Sequence, residues 1–93
     1  MEPYKIAIVD DEPHAIALLK EALGGENSFY LCGEASTAAQ ARELILSQQP
    51  DLLFLDIQLP DLTGMELLRQ LQDELTWSMK VVYYRDSHLI HLI

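Results

Sequence analysis

Ninety-three residues make one small domain, spanning 1–93, with no room for a second folded unit. Fifteen acidic residues against six basic ones leave a net charge of −9, a surface that repels phosphate backbones and anionic lipid and so argues against direct nucleic-acid or membrane binding. The lone Cys32 allows neither an internal disulfide nor a cysteine-based zinc site, and reads as a small buried apolar side chain. No apolar run approaches membrane-spanning length and Met1-Glu2-Pro3 begins no secretion signal, so the expected compartment is the cytoplasm.

Taken in chain order, Ile6-Ala7-Ile8-Val9 is a continuous apolar run that predicts a strand buried on both faces, and it ends in Asp10-Asp11. Pro13 fits the first turn of a helix, Ile16, Leu19 and Leu23 follow at helical spacing, and Gly24-Gly25 stop it. Phe29 to Gly33 predicts a short second strand. Ser36 or Thr37 then caps a helix whose apolar face is Ala38, Ala41 and Ile45, closing near Gln48-Gln49-Pro50. Leu52-Leu53-Phe54-Leu55 is the most apolar run and ends at Asp56. A Pro60-containing loop leads through Gly64 into a helix predicted to turn Met65, Leu68, Leu71 and Leu75 inward, and Lys80 to Tyr84 predicts a fourth strand. Strands alternating with helices imply right-handed crossovers and a parallel sheet covered on both sides.

In such a sheet, ligands gather beyond the carboxyl ends of the strands, at the switch in strand order. Asp10, Asp11 and Asp56 all stand at such ends, and they converge if the first and third strands are neighbours. Three carboxylates held together repel and raise one another's proton affinity unless a cation is present. Mg2+ answers that chemistry, because it favours carboxylate oxygen and keeps several waters. Any one of these residues alone would read as a turn former or helix cap, with Asp11 or Glu12 the natural cap for the first helix. Three of them after two strands of one sheet read better as a metal site.

Ile8-Val9-Asp10-Asp11-Glu12, together with Leu55-Asp56-Ile57-Gln58-Leu59-Pro60 and Gly64, resembles the receiver domain of bacterial response regulators. Asp10-Asp11-Glu12-Pro13 and the residues around Asp56 are most similar to receivers that precede a LytTR-type DNA-binding domain. The resemblance covers nearly the whole chain up to about Tyr84. It implies a flavodoxin-like doubly wound parallel sheet in strand order 2-1-3-4. It also implies that Asp56 accepts a phosphoryl group from a phosphohistidine on a sensor histidine kinase. Asp11 and Asp56 would hold Mg2+ directly, Asp10 mainly through water, and Gln58 through its backbone carbonyl. Pro60 would shape the loop after the acceptor, and Gly64 would permit tight entry into the third helix. The output would be transcription, through an effector domain outside this chain, and the domain would be a signalling module without enzymatic turnover.

Two positions of the family pattern are unfilled. Receivers end the fourth strand with a Ser or Thr that bonds the phosphoryl group, whereas here Tyr83-Tyr84 runs into Arg85-Asp86, with Ser87 the nearest small hydroxyl. The family's Lys and aromatic switch residue belong to a fifth strand, and the expectation is a chain truncated before the fifth strand and helix, with a few residues omitted near Tyr84-Arg85. Strand four, or whatever follows it, would then be a sheet edge that invites self-association, with the apolar tail His88–Ile93 taking part. His88 and His91 are spaced for one helix face but lack a third ligand, and His14 adjoins the acidic turn. Two other readings compete. A haloacid-dehalogenase-like phosphotransferase would need an acid two residues past the nucleophile, where this chain has Gln58. A degenerate or truncated receiver would act only as a protein–protein interaction or dimerisation module.

Overall fold

The computed structural model describes residues 3–25 and 28–85, and the backbone of 88–92. Strand β1 (Tyr4–Val9), helix α1 (Pro13–Leu23), β2 (Phe29–Ala35), α2 (Ala38–Gln48), β3 (Leu52–Asp56), α3 (Gly64–Leu71), β4 (Lys80–Arg85) and β5 (His88–Leu92) follow in that order. They build one sheet in the order β2-β1-β3-β4-β5. The first four strands run parallel in the expected 2-1-3-4 order, and the switch in winding falls between β1 and β3.

One part of the expected topology needs correction. A fifth strand is present after all, though not the parallel one of the family pattern: β5 pairs with β4 antiparallel, Val82 opposite Leu92 and Arg85 opposite His88, and as the segment that follows β4 it forms the sheet edge. His88 and His91 therefore stand on a strand backbone, not on a helix face. Physically, a strand returning directly along its neighbour needs only a short connection. A parallel fifth strand would need a crossover of a dozen residues or more. Ser87 lies outside the described residues.

The helix ends follow from local chemistry. Pro13 occupies the first turn of α1, and the Glu12 carboxylate accepts the His14 backbone N–H at 3.1 Å. Thr37 caps α2 by accepting from Gln40 N, and Gln49 closes that helix in the left-handed region at φ 50°. Thr63 caps α3 in the same way through Glu66 N.

Period-two alternation divides the side chains between two faces. Ala7 and Val9, Leu53 and Leu55, and Val81 and Tyr83 point to the side covered by α2 and α3, where Ala38, Ala41, Ile45, Leu67 and Leu71 close a buried core. Ile6 and Ile8 point to the opposite side, where Ile16 of α1 completes a smaller cluster flanked by half-buried Leu52 and Phe54. The face of α3 is rotated from the expectation. Gly64, Leu67 and Leu71 are buried and Leu68 is half-buried, while Met65 is 54% exposed. Met65 stands two positions from Leu67, about 200° around the helix, and so points away from the sheet. Leu75 lies beyond the helix and packs, half-buried, against the same core. Cys32 is half-buried, and burial pushes its thiol above the usual range.

Candidate functional site

The sheet register decides what meets at its carboxyl end. Val9 pairs with Leu55, Leu55 with Tyr83, and Asp56 with Tyr84. One step past Val9 and Leu55, the next side chains point to the α1 side, so Asp10, Asp56 and Tyr84 form a row across β1, β3 and β4. Asp10 is 1% exposed and Asp56 8%, while Asp11 in the turn after β1 is exposed.

Asp10, Asp11 and Asp56 each offer a carboxylate oxygen, and these oxygens lie within 4.8 Å of one another. The convergence expected from sequence is therefore present. The cap alternative also resolves, because Glu12 caps α1 and Asp11 faces the cleft. The buried carboxylates are held by backbone donors: Glu12 N–H gives to Asp10 Oδ1 at 2.9 Å, and Gln58 N–H gives to Asp56 Oδ1 at 3.0 Å. Such bonds fix the carboxylates against their mutual repulsion. Burial pushes the Asp56 carboxyl above its usual range; the Gln58 N–H bond opposes this, and the negative Asp10 and Asp11 reinforce it.

The three aspartates line one end of an open cleft of about 850 Å3, and Gln58, Pro60 and His14 also line it. Gly64 is packed tightly against the end of β3. A Cβ there would stand 2.7 Å from the Asp56 carbonyl oxygen and 3.1 Å from Ile57 Cα, so only glycine lets α3 start this close. The loop after Asp56 is further tied by Gly64 N–H to the Ile57 carbonyl, 2.8 Å, and by Ile57 N–H to the Tyr84 carbonyl, 3.0 Å.

Sequence reasoning missed two participants. Asp61, just past Pro60, accepts from the N–H groups of Ala38 and Ala39 at 2.8 and 3.1 Å, so the loop after β3 is clamped to the N-terminus of α2. Those bonds, Ala38's foremost, hold its carboxyl below the usual range. Nothing local predicts a cap supplied from 22 or 23 residues away. The second is Tyr84, whose buried hydroxyl donates to Asp10 Oδ2 at 2.7 Å. Burial first, and then the bond to Asp10, push this phenol far above its ordinary value. The strand period and register could have placed Tyr84 beside Asp56; a search confined to small hydroxyls passed over it.

The donor set fits a hard divalent cation: three carboxylate oxygens, two from buried residues whose other contacts are hydrogen-bond donors, facing an open cleft.

The family described as "Response regulator receiver domain" matches residues 6–86. This chain belongs to that family. It is 40% identical over 70 residues to the transcriptional regulatory protein BtsR of Salmonella typhi, a match covering 75% of this chain and 29% of BtsR. It is 39% identical over 67 residues to protein-glutamate methylesterase/protein-glutamine glutaminase 2 of Vibrio vulnificus, covering 72% of this chain and 19% of that protein. The chain thus spans less than a third of these curated relatives. Among solved structures, the signal receiver domain of the putative response regulator NarL from Mycobacterium tuberculosis superposes with a TM-score of 0.81 at 24% identity, covering 94% of this chain and 72% of that one. The response regulator domain of Thermotoga maritima CheB gives 0.78 at 23%, covering 88% and 60%. Both share the fold.

Proposed function

We propose that this chain is a phosphoacceptor receiver of two-component signalling, loaded on Asp56 by a sensor histidine kinase with Mg2+. One observation carries the reading: Asp10, Asp11 and Asp56 present their oxygens within 4.8 Å at the carboxyl end of a receiver-fold sheet. In the reaction, an Asp56 Oδ attacks phosphorus, the phosphorus–nitrogen bond of the phosphohistidine breaks, and the imidazole leaves with a proton. Bound at Asp10, Asp11, Asp56 and the Gln58 backbone carbonyl, Mg2+ would neutralise charge on the phosphoryl oxygens. The chain's own part is positioning. Gln58 N–H fixes one Asp56 oxygen, leaving the other for attack, and Gly64 and Pro60 hold the loop that follows.

Likeness to BtsR, named a transcriptional regulatory protein, supports a transcriptional output through an effector region outside these residues, of LytTR type by the motif resemblance. The domain itself would act by binding and state change, without turnover. Among the described residues no helix is long and apolar enough to cross a membrane, and we place the protein in the cytoplasm with its kinase partner's catalytic region. Self-association would run through the outer edge of β5, the terminal strand of the sheet. Light scattering at high micromolar concentration should then show a dimer, and a monomer would refute that part. A second reading, an interaction module without phosphoryl chemistry, is favoured by the end of β4, where Tyr83-Tyr84-Arg85 offers no Ser or Thr of the kind the family has there.

Mg2+ with acetyl phosphate separates the two readings. Intact mass should show one phosphoryl adduct on the wild type and none on Asp56→Ala or after metal chelation. No adduct on the wild type, or an unchanged adduct on Asp56→Ala, would overturn the acceptor reading.

A further inference from the structure

The row at the end of the sheet puts Tyr84 beside Asp56, yet its hydroxyl bonds Asp10, which belongs to β1 on the far side of β3. β1 and β4 are separated by two interstrand spacings, roughly 9.6 Å. The phenol therefore passes across the carboxyl end of β3, where Asp56 projects on the same face. Tyr84 is only 8% exposed in that position. It also supplies Asp10 with a neutral donor, which relieves part of the carboxylate repulsion without any cation.

A tetrahedral phosphoryl group on Asp56 needs the space on this face that the ring crosses. The same cleft offers the ring another seat. Its lining includes the apolar side chains of Ala15, Leu18, Leu19, Phe54 and Val82, and Leu18 is 53% exposed. A phenol swung off Asp10 toward this lining would bury ring surface against aliphatic side chains and keep its hydroxyl in water. The two placements are discrete, and a group bound at Asp56 that tolerates only one of them shifts the balance by its differential affinity.

Resting on the acceptor reading above, we infer that Tyr84 is a latch over Asp56: its bond to Asp10 and the loading of Asp56 exclude each other, and loading moves the ring onto the apolar lining of Ala15, Leu18, Leu19 and Val82. Tyr84 is thus a positioning residue that sets how readily the acceptor is reached, acting through Asp10 and through occupied space. The latch is a property of this chain's aromatic residue, since a short hydroxyl at the same place spans neither the gap to Asp10 nor the face of Asp56.

The test compares wild type, Tyr84→Phe and Tyr84→Ser at saturating Mg2+, following adduct formation with acetyl phosphate by intact mass. Tyr84→Phe keeps the ring and removes the tether. Its rate should rise by roughly tenfold to a hundredfold, the range one hydrogen bond to a charged group is worth. Tyr84→Ser, which also clears the ring, should rise at least as much. Faster adduct formation on both variants than on a wild type that itself forms the adduct supports the latch. Equal or lower rates in both variants overturn the latch and leave the acceptor reading standing. Absence of adduct on all three overturns the acceptor reading and the latch with it. A check on unaltered protein needs no variant: with 13C-labelled tyrosine, the Tyr84 ring signals should shift, and gain contacts to Leu18 and Leu19 methyls, on adding Mg2+ and beryllofluoride. An adduct that leaves those signals in place contradicts the latch.

Discussion

The two faces of the sheet are built to different ends. On the α2–α3 side, strand side chains meet two helices and close into a core in which Leu53, Leu55, Ile45 and Leu71 are fully buried. On the α1 side, one helix covers Ile6 and Ile8, and the sheet beyond Phe54 toward β4 opens into the cleft that ends at the aspartates. Every buried charge that is described belongs to this second side. One face carries stability, and the other spends some of it on a site. The row Asp10–Asp56–Tyr84 thus sits on a sheet whose opposite face is packed against two helices.

That contrast can be broken by mutation. The largest loss of stability is expected from Leu71→Ala or Leu53→Ala, about 2–5 kcal/mol by urea unfolding, because a fully buried leucine leaves a cavity that close packing cannot refill. Val82→Ala, on the cleft side and half-buried, should cost less than half as much; an equal cost would mean the faces are not distinct. Tyr84→Phe should lower metal-free stability by about 1–3 kcal/mol, since it strips the donor from one oxygen of buried Asp10.

Asp56→Asn should go the other way, raising metal-free stability at neutral pH by less than any of these losses. The Asp56 carboxyl is raised in the folded state, so the native protein holds that proton where the unfolded chain has released it. Its favourable contribution is present below the ordinary carboxylate range and is lost as pH rises through the folded value. The gain from Asp56→Asn should therefore vanish in acid, and a gain that persists there would assign it to packing. Asp61 carries the opposite sign. Its lowered carboxyl stabilises above the ordinary range and loses that effect as pH falls through the folded value, so Asp61→Ala should cost a small amount at neutral pH and nothing in acid.

Much of the fold was legible because the parallel strands are near-continuous apolar runs, Ile6–Val9 and Leu52–Leu55, each closed by a carboxylate. Local rules also placed Pro13 and the stop at Gly24 and narrowed the α2 cap to Ser36 or Thr37, because caps depend on neighbours two or three residues away. What was not legible depends on pairing. The antiparallel return of β5 is a choice between partners, and no periodicity within His88–Leu92 states it. The inward face of α3 turned on where the helix sits against β3, fixed by the close approach at Gly64. At the site, the three aspartates were readable from strand ends. Tyr84 became visible only when register set it opposite Asp56, and Asp61 only when two distant loops met.

The central claim is that the end of the α1 face is one cation-dependent acceptor site. Amide NMR with Mg2+ and beryllofluoride tests it most directly. Shifts are expected to concentrate at residues 10–12, 56–58 and 84, and to disappear both on removing Mg2+ and in Asp56→Asn. Shifts that are absent, or that survive Asp56→Asn, would contradict the account.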